Sequence, residues 1–240
     1  MKRASLLGVV LLLVTARATG QQPAPAPTSE TAAPATPPPA QPAPHPAAPA
    51  PAPAAPSEAP TFEKDELAKL EKGQVVVRGE MYTNAAGKRA GKGKAFVIIN
   101  KPPEAPWAIL NDYEKMPEFM PRLARVTIQN RTADGMKVVQ ELKVLFKTVR
   151  YVLDLKFDAS KKRMAWALDK SSKNDINDTF GSWHFQPWNG GRTLVVYDIA
   201  VDTGAMIPAF LEEYLTKKDL PEVLMAMKRR AESGGTWKKD

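Results

Sequence analysis

Two hydrophobic periods take turns along this chain, and their order predicts its architecture. From Val149 to Asp158 the period is two: Val149, Tyr151, Leu153, Leu155 and Phe157 share one side, against Arg150, Asp154 and Lys156 on the other. That is the alternation of a strand with one face buried. The same reading turns inward Gln140, Leu142, Val144 and Phe146, then Met164, Trp166 and Leu168, then Trp183 and Phe185, then Val195, Tyr197, Ile199 and Val201. Strands are therefore expected over Gln74–Thr83, Lys94–Asn100, Arg125–Asn130, Met136–Phe146, Val149–Asp158, Met164–Lys170, Phe180–Trp188 and Arg192–Asp202. Asp134-Gly135, Ser160-Lys161-Lys162 and Asn189-Gly190-Gly191 supply turn chemistry between the later ones, so neighbours should pair antiparallel as hairpins. A longer basic turn, Asn84–Gly93, joins the first two.

The period lengthens to that of a helix in three places. Thr61 can cap a short helix with acidic Glu63 and Asp65 near its positive end, Leu67 and Leu70 as its apolar side and Gly73 as its stop. Lys101–Pro121 reads as two short helices divided at Asn111–Asp112, with Pro103 and Pro106 in a first turn, where a missing N–H costs little. The third stretch, Asp219–Ala231, puts Leu220, Val223, Leu224, Met227 and Ala231 in one stripe, with Glu222, Lys228 and Arg229 or Arg230 turned elsewhere. Asp219 and Glu222 form a variant capping box around Pro221, the three cations complement the negative end, and Gly234-Gly235 stops the helix. Upstream, Ile207, Phe210, Leu211, Tyr214 and Leu215 repeat the stripe, so the two pieces can form one long helix bent at Lys217–Pro221. An antiparallel sheet with one apolar face and helices laid against it is an α+β fold.

Composition divides the 240 residues into unlike segments. Met1–Ala18 has a basic start (Lys2, Arg3), an apolar run Leu6–Val14 and a small-x-small site at Ala16-Arg17-Ala18, the three parts of a secretory signal peptide. The run is well short of the roughly 20 residues that span a bilayer. Residues 19–60 hold most of the 23 prolines in Ala-Pro repeats and cannot bury enough surface to fold, so they read as an extended spacer or a solubilising tail. The folded domain is expected over 61–233, with 234–240 as a flexible tail. Export to a bacterial periplasm follows, with secretion or an uncleaved tether as alternatives, and the absence of cysteine means a fold held by its core. Removing Lys2, Arg3 and Arg17 takes the net charge from +8 to +5, which leaves little case for nucleic acid. Lys88, Arg89, Lys92 and Lys94 still offer a weak attraction to an anionic membrane surface.

The stretch Pro103-Glu104-Ala105-Pro106-Trp107-Ala108-Ile109-Leu110-Asn111-Asp112-Tyr113, running into Pro117-Glu118-Phe119-Met120-Pro121, resembles the START-like (SRPBCC) superfamily, and within it the coenzyme-Q-binding and polyketide-cyclase-like members. Arg150-Tyr151-Val152-Leu153, Gly181-Ser182-Trp183 and Gly191-Arg192-Thr193 leading into Val196-Tyr197 agree in order, over about residues 73–232. Pro106 stands where that family usually carries an aliphatic residue before the tryptophan. The resemblance implies the helix-grip fold, a curved antiparallel sheet around a long C-terminal helix with an apolar cavity for a lipid, sterol or hopanoid, quinone or polyketide.

Catalytic chemistry is thinly represented. Besides His45 in the spacer there is one histidine, His184, which alternation places with Ser182 and Gln186 on the outer face. No His or Cys spacing suits a metal, Asp169, Asp175 and Asp178 read as a solvated loop, and Gly87, Gly91 and Gly93 read as a flexible hairpin turn. No cofactor and no metal are expected, and the chain is expected to work as a monomer. The inward positions are instead rich in Trp, Tyr and Met, which suit a ligand-lined interior. The candidate ligand-binding set is Trp107, Tyr113, Met116, Phe119, Met120, Leu142, Val144, Tyr151, Leu153, Trp166, Trp183, Phe185, Tyr197, Ile199, Phe210, Tyr214, Val223, Leu224 and Met227. A mouth is expected between the Lys101–Pro121 helices and Val201–Pro208, a loop framed by Gly204 and Pro208. Three functions fit: an exported carrier of a hydrophobic small molecule, an enzyme of cyclase or aromatase type using Tyr151, Tyr197 or Tyr214, and a solidly packed binding module without cargo.

Overall fold

The computed structural model of the chain describes residues 60–83, 89–144, 146–204 and 218–240. The expected export signal, the spacer up to residue 59, Lys88 and the upstream helix with Phe210 and Tyr214 lie outside the described residues. Eight strands form one curved antiparallel sheet: β1 Val76–Thr83, β2 Arg89–Ile99, β3 Leu123–Arg131, β4 Gly135–Val144, β5 Lys147–Asp158, β6 Arg163–Leu168, β7 Asp178–Trp188 and β8 Arg192–Asp202. Their order is β1-β2-β8-β7-β6-β5-β4-β3. From β3 to β8 each strand pairs with its sequence neighbour, as the turn residues require. The step from β2 to β3 runs instead to the far edge, and the connecting segment carries α2 (Glu104–Asn111), a 3₁₀ turn (Tyr113–Lys115) and α3 (Met116–Phe119). Pro106, buried in the first turn of α2, does not displace its start. Among the described residues no helix is long and apolar enough to cross a membrane.

One large core fills the inner side of the sheet, built from the alternate positions of every strand together with α2, α3 and α4 (Leu220–Glu232). A smaller cluster lies on the outer side, where Leu70 of α1 (Lys64–Glu71) covers Val76, Phe96, Ile98, Leu194 and Val196. Strands β2 and β8 therefore bury both faces, which explains the unbroken apolar runs Phe96–Ile99 and Leu194–Tyr197.

Several local expectations are corrected. The α1 cap is Glu63, one box further along than Thr61, because Glu66 reaches back to the Glu63 N–H at 3.0 Å. Leu67 is exposed, leaving Leu70 alone as that helix's buried contact. β2 begins at Arg89, so Gly91 and Gly93 are strand residues, opposite Val201 and Ile199. Gly93 is needed for close approach, since a Cβ there would lie 2.6 Å from Leu220 Cδ1 at the start of α4. β4 ends at Val144, and Phe146, expected inward, is fully exposed in the hairpin leading to β5.

The ends of α4 also differ. Asp219 makes no side-chain cap; both its oxygens accept from Arg122, at 2.7 Å each. Arg122 precedes β3 with φ 60°, a left-handed conformation costing about 1 kcal/mol or more for a non-glycine residue. Lys228 and Arg230, expected outward, are buried. Lys228 donates to the Ile98 carbonyl (2.7 Å) and to Glu232 (2.6 Å), and Arg230 to Glu118 (3.0 Å) and the Trp237 carbonyl (2.7 Å). Residues 234–240, expected to be a flexible tail, fold back over α3. The Lys239 amine donates to the carbonyls of Met120 and Leu123, and the Arg229 guanidinium lies 5.4 Å from the Trp237 ring.

Candidate functional site

Between the inner face of the sheet, α3 and the start of α4 lies a cavity of about 260 Å3. Strands β4 to β8 send inward-facing side chains into it: Leu142 and Val144 from β4, Val149, Tyr151 and Leu153 from β5, Met164 and Trp166 from β6, Thr179 and Trp183 from β7, and Tyr197, Ile199 and Val201 from β8. Tyr113, Met116 and Met120 of the crossing segment and Leu220 and Val223 of α4 complete the wall. The aromatic wall is continuous. Tyr197 lies between Trp166, nearly parallel at 5.6 Å, and Trp183 at 4.3 Å, and Trp183 stacks in turn on Phe185 at 6.1 Å. Gly181 makes this possible, because a Cβ there would fall 2.3 Å from the Trp166 ring.

Of the candidate residues, Tyr113, Met116, Met120, Leu142, Val144, Tyr151, Leu153, Trp166, Trp183, Tyr197, Ile199 and Val223 are brought together around the cavity. The others are placed elsewhere. Phe119 is buried under the Arg230 guanidinium, 5.2 Å from its ring, Phe185 backs Trp183, and Leu224 and Met227 face the core, because α4 turns only Leu220 and Val223 to the cavity. Trp107 packs edge-on against Phe157 at 6.0 Å. Phe210 and Tyr214 lie outside the described residues, as does most of the expected mouth loop, although Val201 and Thr203 reach the wall.

Sequence reasoning missed Gly91, Gly93, Pro121, Arg122, Leu123, Val149, Met164, Ile176, Thr179, Leu220 and two polar groups, Gln140 and Asp219. Gln140 had a legible signal, an amide in the inward row otherwise filled by Met136, Val138, Leu142 and Val144. Its side chain is a hydrogen-bonded link. Its Nε2 donates to the Tyr113 hydroxyl at 2.6 Å, and the Tyr151 hydroxyl donates to its Oε1 at 2.9 Å. Ile176 arrives on the loop after β6, which continues the ladder beside β5 where β6 has ended: Asp169 N–H donates to the Val152 carbonyl, and Asn174 accepts from the Val152 N–H.

The electrostatics of the site are set by burial. Burial pushes the phenols of Tyr113, Tyr151 and Tyr197 well above their ordinary range, so all three stay protonated donors. Apart from these phenols, the ionisable groups among the described wall residues are Arg122 and Asp219, tied to each other. Burial raises the Asp219 carboxyl, and its bonds to Arg122 only partly offset this. His184 is half-buried, pairs with Gln186 at 3.0 Å and is not part of the wall. Among the described residues no three acids or histidines gather as metal ligands do.

Comparison with known proteins adds the following. A family model described as polyketide cyclase/dehydrase and lipid transport matches residues 99–228. No curated protein sequence matches. Among solved structures, the fold is similar to a protein of Thermus thermophilus (19% identity, TM-score 0.53, 60% of this chain and 99% of that one). It is also similar to the Zhui aromatase/cyclase of a Streptomyces species (15%, 0.51, 65% and 94%) and to a STAR-related lipid transfer protein of Xanthomonas axonopodis (14%, 0.51, 64% and 98%).

Proposed function

Because this chain belongs to the polyketide cyclase/dehydrase and lipid transport family, which implies binding of a hydrophobic ligand, we propose that it is a non-enzymatic carrier of an apolar small molecule of the lipid, sterol, hopanoid or quinone class. One observation carries the reading: a cavity of about 260 Å3 walled by aliphatic and aromatic side chains, whose polar groups are neutral donors or a self-neutralised ion pair. An apolar guest seated in such a space gains burial at about 25 cal/mol per Å2 of apolar surface removed from water. General acid–base catalysis needs a group that exchanges its proton near working pH, and phenols held above their usual range do not.

The carrier acts after export, guided by the segment Met1–Ala18 and spaced from its anchor or exit point by residues 19–60. It works as a monomer and meets an anionic membrane surface to exchange cargo. Phe146 supports this contact, being fully exposed between Lys143 and Lys147 at the end of the β4–β5 hairpin that brings Val144 and Val149 to the cavity. On β2, Lys94 is already paired with Asp198 at 3.1 Å, which weakens the case for the basic β1–β2 turn.

The test is organic extraction of the full chain purified from its native host, followed by mass spectrometry. A stoichiometric apolar molecule is expected. Protein that carries none and also ignores fluorescent lipids and quinones would overturn the reading. The cyclase reading is favoured by the tyrosine donors, which suit a carbonyl. Tyr151→Phe or Tyr197→Phe variants that still bind a substrate but no longer turn it over would establish it. The cargo-free reading requires an interior packed solid, and the cavity of about 260 Å3 weighs against it.

A further inference from the structure

We infer that the polar corner of the cavity, formed by Tyr113, Gln140, Tyr151 and Tyr197, is a recognition site for an uncharged acceptor oxygen, the carbonyl of a ketone, quinone or ester on an otherwise apolar ligand. The inference rests on the carrier reading and deepens it by assigning the ligand's polar end.

Gln140 and Tyr151 are direct cross-strand partners on β4 and β5, and Tyr197 is the partner of Trp183 on β7. Tyr113, Gln140 and Tyr197 are each more than nine-tenths buried. The phenols stand close enough that Tyr151 and Tyr113 both raise the Tyr197 hydroxyl's pKa, after burial itself. An amide sunk into an apolar wall is costly unless its bonds are made.

Tyr151 spends its proton on Gln140 Oε1, and one amide hydrogen of Gln140 goes to the Tyr113 oxygen. Three donors are left over: the Tyr113 O–H, the second amide hydrogen of Gln140 and the Tyr197 O–H. Among the described residues none of the three has an acceptor. Exchanging the oxygen and nitrogen of the amide moves one leftover proton from Tyr113 to Tyr151 and leaves their number unchanged. These three protons have no acceptor among the described residues, while the spare lone pairs on the phenol oxygens and on Gln140 Oε1 go unmet at lower cost. A carbonyl oxygen has two lone pairs and no proton, so it accepts two of these donors and adds none. An alcohol oxygen accepts too, but it brings a proton of its own that must be placed on a phenol oxygen or on Gln140 Oε1, whereas a carbonyl brings none. A carboxylate or phosphate brings a charge that nothing in the corner compensates, since the Arg122 guanidinium is committed to Asp219.

The experiment uses three probes of matched chain length, 2-undecanone, undecane and undecanoate, each displacing the neutral dye N-phenyl-1-naphthylamine from the purified full chain. The ketone is expected to bind about tenfold or more tightly than the alkane, the worth of one or two hydrogen bonds, with the carboxylate weakest at neutral pH. Tyr197→Phe removes a hydroxyl that has no hydrogen-bond partner among the described residues, so its thermal midpoint should not fall, yet the ketone's advantage should shrink while undecane binding stays put. Gln140→Leu should abolish the advantage even if its midpoint changes, because the advantage is a ratio between two ligands of the same protein. Ketone and alkane binding equally would overturn this inference and leave the carrier reading standing. If no probe and no dye binds, both fall.

Discussion

Strands β2 and β8 bury both their faces, and the two faces are finished on different terms. Outside, Phe96, Ile98, Leu194 and Val196 close against Leu70 and Val76, with Phe62 edge-on to Phe96 at 5.1 Å and to Trp188 at 6.3 Å, and none of these residues borders the cavity. Inside, the alternate residues Tyr197, Ile199 and Val201 face open space. The covers differ accordingly. α1 is fastened to the outer face by ion pairs with at least one exposed member, Arg78–Glu66 and Arg192–Glu71. α4 is fastened to the inner side by Arg122–Asp219 and by the buried Lys228 and Arg230. A filled cluster gains contact on every side and holds its own cover. Where α4 borders the hollow part it forfeits such contacts, and there its start is held by the part-buried Arg122–Asp219 pair, while Leu224, Met227 and Ala231 further along pack into the core as α1 does outside.

A matched pair of truncations breaks or confirms this difference. Leu194→Ala removes a side chain wholly enclosed in the outer cluster and should cost about 3–4 kcal/mol, within the range for buried leucines. Leu142→Ala trims a half-buried wall residue with fewer neighbours to lose, and should cost about 1–2 kcal/mol. Urea unfolding of both variants checks it. Equal costs would mean the two sides are packed alike. Excess 2-undecanone should shift the midpoints of the wild type and Leu194→Ala alike, because Leu194 does not border the cavity, and should shift Leu142→Ala less, because that change trims the wall.

The outer face was the harder one to see in the sequence. Alternation found every strand and the inner rows on β5, β6, β7 and β8, since a half-buried strand writes its orientation into period two. Phe96 and Ile98 gave no such signal, because a strand buried on both sides is apolar throughout and its faces look alike. Gln140 was read as inward, but what it would bond depended on Tyr113 and Tyr151, brought in from a different element and a neighbouring strand. Asp219 looked like a helix cap by position, and only the fold reveals that Arg122, 97 residues earlier, claims both its oxygens. Phe146 fitted the inward row by counting, and failed because the strand ends two residues before it.

Acid titration sharpens the comparison on the inner side, at the loop that brings Ile176 to the wall. Burial pushes the Asp169 carboxyl up, but Lys137 at 2.8 Å and the hydroxyls of Ser171 and Ser172 outweigh it, and the group sits well below the usual carboxylate range. The native state therefore holds this proton more weakly than the unfolded chain, where the group titrates near about 3.9. Its contribution is complete above that pH and is lost as pH falls toward the native value. Asp169→Asn should cost about 2 kcal/mol at pH 7, the scale of hydrogen bonds to a charged group, and the gap to wild type should close steadily below about pH 4. A gap that stays constant down to pH 2 would show that the carboxylate is not what fastens the loop.

The smallest effect on stability belongs to Phe146, and it separates packing from function. Its ring is fully exposed, so Phe146→Ser should change the unfolding free energy by no more than about 0.5 kcal/mol, as surface substitutions do. Burying a phenylalanine in a bilayer interface gains free energy that nothing in the folded domain supplies, and Lys143 and Lys147 on either side would lie among anionic headgroups. Flotation with vesicles of anionic phospholipid should therefore recover wild type and lose most of Phe146→Ser, with the wild-type signal falling as salt is raised. Dye binding in the cavity should be the same for both proteins. If flotation is also the same for both, the exposed ring has no part in reaching a membrane, and cargo must enter and leave through contacts made elsewhere on the hollow side.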